Sequence, residues 1–225
     1  MKFRFDQRPS DSSFVEGVWR TQSQGGGSFT SAAETRWEMV VTRQQGKTTF
    51  TVKGPETQAR PAPIPEDAEF LGIIFKLGTL MPHLPASKLL NGGVNLPEAT
   101  GKSFWLYGST WEFPTYENAD TFVNRLVRGG LLVRDPLVDD VMQDYPLDLS
   151  TRTLQYRFQR ATGLTHKAVQ QIQRARQAAA LLEQGCPILD TAYQLGYFDQ
   201  SHLTNSLRRY LGQTPAQISH ALQPE

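Results

Sequence analysis

The sequence predicts an α+β protein, with an antiparallel β sandwich or small barrel at its N-terminal end and an all-α region after it. Composition changes near residue 117. Glycine, proline, threonine and aromatic residues are frequent before it, whereas helix-forming stretches such as HKAVQQIQRARQAAALLEQ follow it. At 225 residues the chain is long enough for two modest domains. We therefore predict one domain over residues 1–117 and a second over residues 118–225.

Runs of β-branched and aromatic residues predict the strands of the first domain. Residues 37–42 and 48–52 are two such runs, and the RQQGK between them predicts a hairpin with Gly46 in its turn. Residues 69–77 and 103–108 are further strand candidates, separated by segments rich in proline and glycine. Short strands joined by such turns are typical of an antiparallel sandwich or barrel.

Helix-forming runs with recognisable ends predict the second domain. Residues 119–127 form a helix that is followed by two glycines, and residues 137–145 form another that ends at Pro146. A third helix begins after Ser150, a good N-cap, and ends at Gly163. The longest helix is expected from about residue 166 to residue 184, because apolar residues recur there with helical spacing.

A helix-turn-helix is predicted for the segment ILDTAYQLGYFDQSHLTNSLRRYL. The small side chain of Ala192 fits where two helices press together, Gly196 allows the turn, and Asp199 is a good N-cap for the second helix. Leu203 and Leu207, four residues apart, direct one face of that helix inward. The opposite face is polar.

The polar face of this second helix carries residue types that read DNA bases. Gln200, Ser201 and Asn205 lie near its N-terminal end, which is the end that enters a major groove. Glutamine and asparagine pair bidentately with adenine, and serine can donate or accept. Arg208 and Arg209 lie further along the helix, where they are better placed for phosphates.

An upstream copy of the same pattern covers residues 137–163. Arg152, Gln155 and Tyr156 lie on the outer face of its second helix and are further base-reading candidates. The helix that joins the two copies would be about 28 Å long, close to the roughly 34 Å between successive major grooves. We therefore expect two reading helices that contact successive grooves of one duplex.

Basic residues cluster in the helical region although the whole chain is nearly neutral. The chain has 23 Lys+Arg and 22 Asp+Glu, a net charge of +1, whereas residues 150–225 have eight basic and four acidic residues, a net charge of +4. The predicted phosphate contacts are Arg157, Arg160, Lys167, Arg208 and Arg209. Double-stranded DNA is therefore the expected partner.

Four acidic residues precede the first reading helix: Asp135, Asp139, Asp140 and Asp144. Carboxylates near phosphates repel DNA. We therefore expect the first helix-turn-helix to bind more weakly than the second.

The N-terminus and the single cysteine indicate where the protein resides. The first eight residues carry several charges and no apolar core of signal-peptide length, and no later run approaches the roughly 18 apolar residues of a membrane span. One cysteine, Cys186, forms no internal disulfide and fits a reducing compartment. We expect a cytoplasmic protein with no membrane segment.

Two stretches of the second half, LSTRTLQYRFQRATGLT and LLEQGCPILDTAYQLGYFDQSHLTNSLRRYLGQTP, resemble the AraC family of bacterial transcription regulators. Gly212, Thr214 and Pro215 complete the pattern. The segments KLGTLMPHLPASKLLNGGVNLPEA and SFWLYGSTWEFPTYENADTFVNRLVRGGLLVRDP resemble the sensor half of a subgroup of these regulators. Tyr156 departs from the family, which often has arginine at that position.

The resemblance implies sequence-specific promoter binding by two helix-turn-helix units joined by a long helix. It also implies a cupin-like β domain that binds an effector or dimerises, and contact with RNA polymerase. The base-facing candidates that it implies are Arg152, Gln155 and Tyr156 in the first unit, and Gln200, Ser201 and Asn205 in the second.

Aromatic residues of the first domain are candidates for the walls of an effector pocket. They are Trp37, Phe75, Trp105, Tyr107 and Trp111. No metal or other cofactor is expected, because His83 is the only histidine of the first domain and metal sites need clustered ligands. No glycine-rich phosphate loop or GxSxG nucleophile pattern is present, so the sequence does not predict an enzyme.

Two other interpretations of the β domain stay open. The protein could be a small-molecule-binding protein or a cupin-like enzyme whose DNA-binding domain is vestigial. Alternatively, the β domain binds no ligand and serves only to form a homodimer. The sequence does not decide between an effector site and a dimer interface.

Overall fold

The structure is a computed structural model that describes residues 4–220. Its antiparallel strands precede its long helices, which confirms the predicted α+β class. The chain divides into two compact bodies. Body 1 comprises residues 4–28, 36–55 and 63–166, and body 2 comprises residues 29–35, 56–62 and 167–220.

Thirteen β-strands are present in the described residues, and the strands of the two larger sheets pair in antiparallel fashion. The strands are β1 (Arg4–Pro9), β2 (Val15–Gln22), β3 (Gly27–Ser31), β4 (Glu38–Gln44), β5 (Lys47–Lys53), β6 (Arg60–Ile64), β7 (Ala68–Phe75), β8 (Thr79–Leu80), β9 (Gly93–Leu96), β10 (Glu98–Thr100), β11 (Ser103–Leu106), β12 (Ser109–Glu112) and β13 (Val133–Arg134). A six-stranded sheet has the order β1-β2-β7-β4-β5-β9, and β10-β11-β12 form a second sheet. Strands β8 and β13 form one pair, and β3 and β6 form another.

Seven α-helices follow or join these strands in residues 4–220. They are α1 (Ala119–Arg128), α2 (Leu137–Met142), α3 (Thr151–Thr162), α4 (His166–Glu183), α5 (Ile188–Gln194), α6 (Gln200–Leu211) and α7 (Pro215–His220). A 3₁₀ turn covers Ala86–Lys88. No helix within the described range is both long and apolar enough to cross a membrane.

The core of body 1 lies between its two main sheets and helix α1. Phe50 of the six-stranded sheet packs edge-on against Phe104 of the three-stranded sheet, with ring centroids 4.5 Å apart, and Phe122 of α1 lies 6.0 Å from Phe50. The larger sheet has two edges, β1 and β9, in its strand order. The antiparallel β region therefore takes the sandwich form of the prediction.

The predicted hairpin is present as β4 and β5. Its turn residues Gln45 and Gly46 both have positive φ, 51° and 75°. Two consecutive positive φ values are the signature of a type I′ turn, whose twist matches that of the flanking strands. Glycine at the second position therefore explains why the chain reverses there.

Helix α2 is shorter than predicted and ends at Met142 instead of residue 145. Asp144 adopts a positive φ of 53°, and the N–H of Tyr145 donates to the carbonyl of Asp140 at 2.9 Å. This is a Schellman closure with aspartate in the left-handed position. Because Pro146 disfavours a helical conformation at Tyr145, the helix ends before it reaches the proline.

The two bodies do not follow the predicted division at residue 117. The first helix-turn-helix, α2 and α3, lies in body 1, where α3 contacts β8 and the turn at Ala86–Lys88. A Cβ atom at Gly163 would lie 3.0 Å from the carbonyl carbon of Ala86, so the end of α3 is held closely there. Composition alone cannot reveal packing between segments this far apart in the chain.

Candidate nucleic-acid interface

Helices α3 and α6 have the same local design. Each has 12 residues, begins after a side-chain N-cap and ends at a left-handed glycine. Ser150 Oγ accepts from the N–H of Thr153 at 3.2 Å, and Asp199 Oδ1 accepts from the N–H of His202 at 2.7 Å. These caps satisfy backbone donors that a helix start otherwise leaves free, and they confirm the predicted helix starts.

The shared caps align the two helices position by position. Counting from each N-cap, Ser201 corresponds to Arg152, Thr204 to Gln155, Asn205 to Tyr156, Arg208 to Gln159 and Arg209 to Arg160. The two helices therefore present different side chains at equivalent places, as two readers of different bases would.

The inner face of α6 is packed against the rest of the second helix-turn-helix. Leu203 and Leu207 are fully buried, and Ala192 of α5 is buried as predicted for the place where the two helices meet. Tyr197 in the turn is also buried, and its hydroxyl shares a hydrogen bond with Ser206 Oγ at 3.1 Å. Each of these contacts fixes the orientation of α6.

The first helix-turn-helix is held in a similar way. Phe158 and Ala161 of α3 are buried, as are Leu137 and Val138 of α2, and the two helices contact each other. The hydroxyl of Thr162 donates to the carbonyl of Phe158 at 2.9 Å and closes the last turn. The outer face of α3 is thereby fixed relative to body 1.

All six predicted base-reading side chains are exposed. On α3, Arg152 and Tyr156 are four residues apart on the side away from the buried Phe158, and Gln155 lies at the flank of this face. On α6, Ser201 and Asn205 are likewise four residues apart and lie opposite the buried leucines. Gln200 is the first residue of α6 and lies at the flank of this face. The structure thus brings each predicted trio onto one exposed helix end.

Thr204 and Gln159 also lie on these outer faces and are absent from the predicted set. Thr204 follows Ser201 by three residues, and its hydroxyl donates to the backbone carbonyl of Gln200 at 2.8 Å. Gln159 follows Gln155 by four residues and is exposed. The helical period was a sufficient signal for both, because residues three or four apart share a face.

The predicted phosphate contacts lie in different surroundings. Arg160, Lys167 and Arg208 are exposed, and the guanidinium of Arg209 lies 5.3 Å from the centroid of the Tyr210 ring. Arg157 instead turns toward the flank of α3, where its Nη2 contacts Asp135 Oδ1 at 2.7 Å. Its charge is already compensated, so Arg157 is less available for a phosphate than the sequence suggests.

Two of the four acidic residues that precede α3 are paired. Asp135 accepts from Arg157, and both carboxylate oxygens of Asp139 accept from Arg134 Nη2 at 2.7 Å. Ion pairing reduces the repulsion that these carboxylates exert on phosphates. The carboxylates therefore provide less reason than the sequence suggests to expect weak DNA binding by the first helix-turn-helix.

The last turn of α6 is covered by two segments from the N-terminal half of the chain. We call residues 29–35 and 56–62 of body 2 the β-arm. Its Ala33 N–H donates to the carbonyl of Tyr210 at 2.7 Å, and its Ala59 N–H donates to that of Arg209 at 2.8 Å. Carbonyls at a helix end have no partner within the helix, so the β-arm satisfies two of them.

Helix α4 also binds the β-arm. Arg176 Nη2 donates to the carbonyl of Ala33 at 2.7 Å and to Glu34 Oε2 at 2.9 Å. The other side of α4 supports α6, since the Tyr210 hydroxyl donates to Gln171 Oε1 at 3.0 Å. The β-arm was not predicted from the sequence, because its contacts join residues more than 140 positions apart.

The five aromatic residues proposed for an effector pocket do not line one common cavity. Trp37 and Phe75 are buried and stacked in the core of body 1, with centroids 4.0 Å apart. Trp105 and Tyr107 are exposed, and Trp111 packs edge-on against Phe122 of α1. Strand alternation explains the difference, since Phe104 and Leu106 point inward and Trp105 between them points outward.

A cavity of about 430 Å³ lies elsewhere in body 1, on the flank of α3. Its apolar walls include Leu80, Pro82, Val133, Pro136 and Ala161. Arg134, Arg157 and Arg160 line it together with Asp135.

Residues 146–221 match the family described as a helix-turn-helix domain. The chain is also similar to HTH-type transcriptional regulator VirS of two Mycobacterium tuberculosis strains, CDC 1551 / Oshkosh and ATCC 25618 / H37Rv. Identity to each is 42% over 72 residues, or 32% of this chain. The match covers 21% of each relative, so the chain spans about a fifth of the length of the curated relatives it matches.

The chain also aligns with solved structures of ToxT from Vibrio cholerae, at low TM-scores. ToxT of strain O395 has a TM-score of 0.37 and 10% identity, with 98% of this chain and 99% of that chain covered. ToxT of strain SCE256 bound to an unsaturated fatty acid has a TM-score of 0.37 and 10% identity, with 95% and 97% covered. A likeness of this size says nothing about what the present chain binds.

The buried helix pairs and the family match together define a helix-turn-helix domain. Both stretches whose sequence resembles the AraC family, residues 149–165 and 181–215, lie inside this match.

Proposed function

We propose that this protein is a transcription regulator that binds double-stranded promoter DNA sequence-specifically through α3 and α6. The observation that carries the proposal is the pair of 12-residue helices with matching caps, each of which exposes polar side chains beside a buried face. Two helices of this design are what two major grooves require. Neither catalysis nor a cofactor forms part of the proposed activity.

In this proposal, some outer-face side chains read bases and others contact phosphates. Arg152 suits guanine, and Gln155 and Asn205 suit adenine, because each offers two donors or a donor and an acceptor at fixed spacing. Lys167, Arg160 and Arg209 would neutralise phosphates and contribute affinity without sequence choice. Specificity and salt dependence then belong to different residues, which makes the proposal testable.

The test is a fluorescence-anisotropy titration of the full chain with DNA from its own upstream region and with a scrambled duplex, each at two salt concentrations. We expect tighter binding to the native sequence that persists at the higher salt. Gln155→Ala should lose about 1–3 kcal/mol on the native sequence and little on the scrambled one, because a bidentate base contact is lost. Lys167→Ala should weaken both duplexes alike and flatten the salt dependence.

Equal losses on both duplexes for Gln155→Ala would remove that residue from the base-reading set. Equal binding of native and scrambled DNA by the wild type, abolished by salt, would contradict sequence-specific regulation from that region. Absence of binding at either salt concentration would favour the rival in which the DNA-binding domain is vestigial.

The proposal includes RNA polymerase as a partner, since a promoter-bound regulator acts by assisting or obstructing polymerase. It places the protein in the cytoplasm, where promoter DNA of a bacterial regulator lies. A homodimer formed through body 1 stays part of the proposal as the alternative to an effector. The β region would then provide a dimer interface instead of a ligand site.

We further propose that body 1 responds to a small anionic effector bound in the cavity on the flank of α3. Guanidinium groups bind carboxylate and phosphate oxygens well, and the apolar walls suit the body of an organic acid. Arg160 makes no hydrogen bond or ion pair with residues 4–220, whereas Arg157 shares its charge with Asp135. Because both arginines belong to α3, an occupant would contact the reading helix itself.

Thermal unfolding of the full chain with benzoate or inorganic phosphate tests this site. A ligand at about 100 times its Kd adds about 2.7 kcal/mol to stability, so we expect a concentration-dependent rise in Tm. Arg160→Gln should abolish the rise, and Arg128→Gln, an exposed arginine of α1 outside the cavity, should retain it. A response to benzoate alone indicates an organic acid, and a response to phosphate alone indicates the inorganic anion.

An unchanged Tm with both anions, or a rise that survives Arg160→Gln, would contradict the effector site. The dimer alternative would then gain support if the wild type sediments as a dimer.

A further inference from the structure

Phe198 is the most exposed large apolar side chain beside the reading helix α6. It directly precedes the N-cap Asp199, and its side chain is 92% exposed. Its neighbour Tyr197 is buried. Transfer of a phenyl ring out of water is favourable, so a contact that Phe198 makes on binding a partner would stabilise the complex.

The backbone around Phe198 is held in place by local hydrogen bonds. Asp199 is extended, with φ −157° and ψ 178°, and its side chain accepts from the N–H of His202. The N–H of Phe198 donates to Nδ1 of His202 at 3.4 Å, and the Tyr197 ring packs edge-on against the same imidazole at 5.2 Å. Tyr197 is therefore held inward by its packing, while Phe198 is presented outward from an ordered turn.

An apolar residue before an N-cap usually packs against the fourth residue of the helix, an arrangement called the hydrophobic staple. In α6 that fourth residue is Leu203, which is fully buried, while Phe198 remains almost fully exposed. The corresponding residue before α3, Leu149, is only 41% exposed. Phe198 thus does not serve as a staple, and packing within the protein does not account for it.

We propose that Phe198 contacts the C5-methyl group of a thymine next to the bases read by Gln200 and Ser201. The N-terminal end of a reading helix enters the major groove, and each thymine presents its methyl group there. Phenylalanine is one of the side chains that make this apolar contact. The phenyl ring adjoins the face already assigned to DNA, which favours DNA over a protein as its partner. This inference rests on the proposed function.

Replacement of thymine by deoxyuracil tests the contact, because it removes the methyl group and keeps every hydrogen-bonding atom of the base. Each thymine of the duplex that the wild type prefers is replaced in turn, and affinities are measured by anisotropy. We expect one replacement to weaken wild-type binding about fourfold, the factor that about 0.8 kcal/mol represents. The same replacement should leave the affinity of Phe198→Ala unchanged.

Two variants serve as controls. Tyr193→Ala removes another aromatic side chain that is 90% exposed, on α5, and should retain the full deoxyuracil penalty. Phe198→Leu keeps an apolar side chain and should retain part of it. Since Phe198 contributes little to the packed interior, its variants should unfold at the temperature of the wild type.

A penalty of the same size in Phe198→Ala, or no penalty at any thymine in the wild type, would overturn the inference while leaving sequence-specific binding intact. Unchanged DNA affinity of Phe198→Ala on every duplex would also overturn it. Failure of the wild type to prefer any duplex is a distinct outcome, which overturns the proposed function and this inference together.

Discussion

Gly212→Ala is expected to destabilise body 2 by about 2–4 kcal/mol and to weaken DNA binding through α6. Gly212 ends α6 with φ 73°, a conformation that costs an alanine roughly 1 kcal/mol or more. Its Cβ would also lie 2.5 Å from Thr30 Cγ2 and 3.3 Å from Ala59 Cβ. To relieve this clash the Thr30 side chain must turn away and Ala59 must move by a few tenths of an ångström, which strains the hydrogen bond from Ala59 to the last turn of α6.

Gly196→Ala is the matched control for this prediction. Gly196 also has a positive φ, 69°, but no atom lies within 4 Å of its Cβ position. Gly196→Ala should therefore lower the free energy of unfolding only by the conformational cost of alanine at positive φ, about 1 kcal/mol. Urea unfolding and anisotropy with the preferred duplex measure both variants. Equal losses in the two would show that the contact with the β-arm contributes nothing.

The features that the sequence predicted correctly are local ones. Ser150 and Asp199 cap their helices because a short polar side chain reaches the backbone N–H three residues away. Gly163 ends its helix, and Gly46 closes its hairpin, because both adopt positive φ. Each of these structures is determined within a few residues, so a pattern of a few residues is enough to find it.

The features that the sequence did not predict depend on distant contacts. Strand β6 has the sequence RPAPI, in which two prolines suggest a stiff loop, yet it pairs with β3 in the structure. Proline is tolerated in such a strand because a two-stranded pair has only edges. The division of the chain into two bodies also depends on distant contacts. No local sequence pattern shows that the β-arm will cover the last turn of α6.

The candidate site divides in the same way. The outer-face residues followed from helical periodicity, and their exposure in the structure agrees with it. The aromatic set did not form a pocket, because Trp37 and Phe75 alternate into the core and Trp105 points out of its strand. The exposure of Phe198 could not be predicted either. An apolar residue before an N-cap can pack against the helix as a hydrophobic staple or remain exposed, and the sequence does not distinguish the two.

A fragment of residues 118–225, the DNA-binding domain that composition predicts, is expected to bind the preferred duplex more weakly and to unfold more easily than the full chain. It lacks the β-arm, so the carbonyls of Arg209 and Tyr210 lose their N–H donors and Arg176 loses the Ala33 carbonyl. These three hydrogen bonds, at about 0.5–1.5 kcal/mol each, represent about 1.5–4.5 kcal/mol, a large share of the roughly 5–15 kcal/mol of a typical domain. Thermal unfolding and anisotropy provide the comparison.

Arg176→Gln in the full chain separates the β-arm from the other consequences of truncation. This variant keeps both backbone hydrogen bonds to α6 and weakens only the attachment of the β-arm to α4, so its stability should fall between that of the full chain and that of the fragment. Hydrogen exchange at Gly212, whose N–H bonds to the carbonyl of Arg208, should speed up in the same order, because the last turn of α6 frays as its cover is removed. A fragment that matches the full chain in DNA affinity and in exchange at Gly212 would mean that the helices fold and bind without the β-arm.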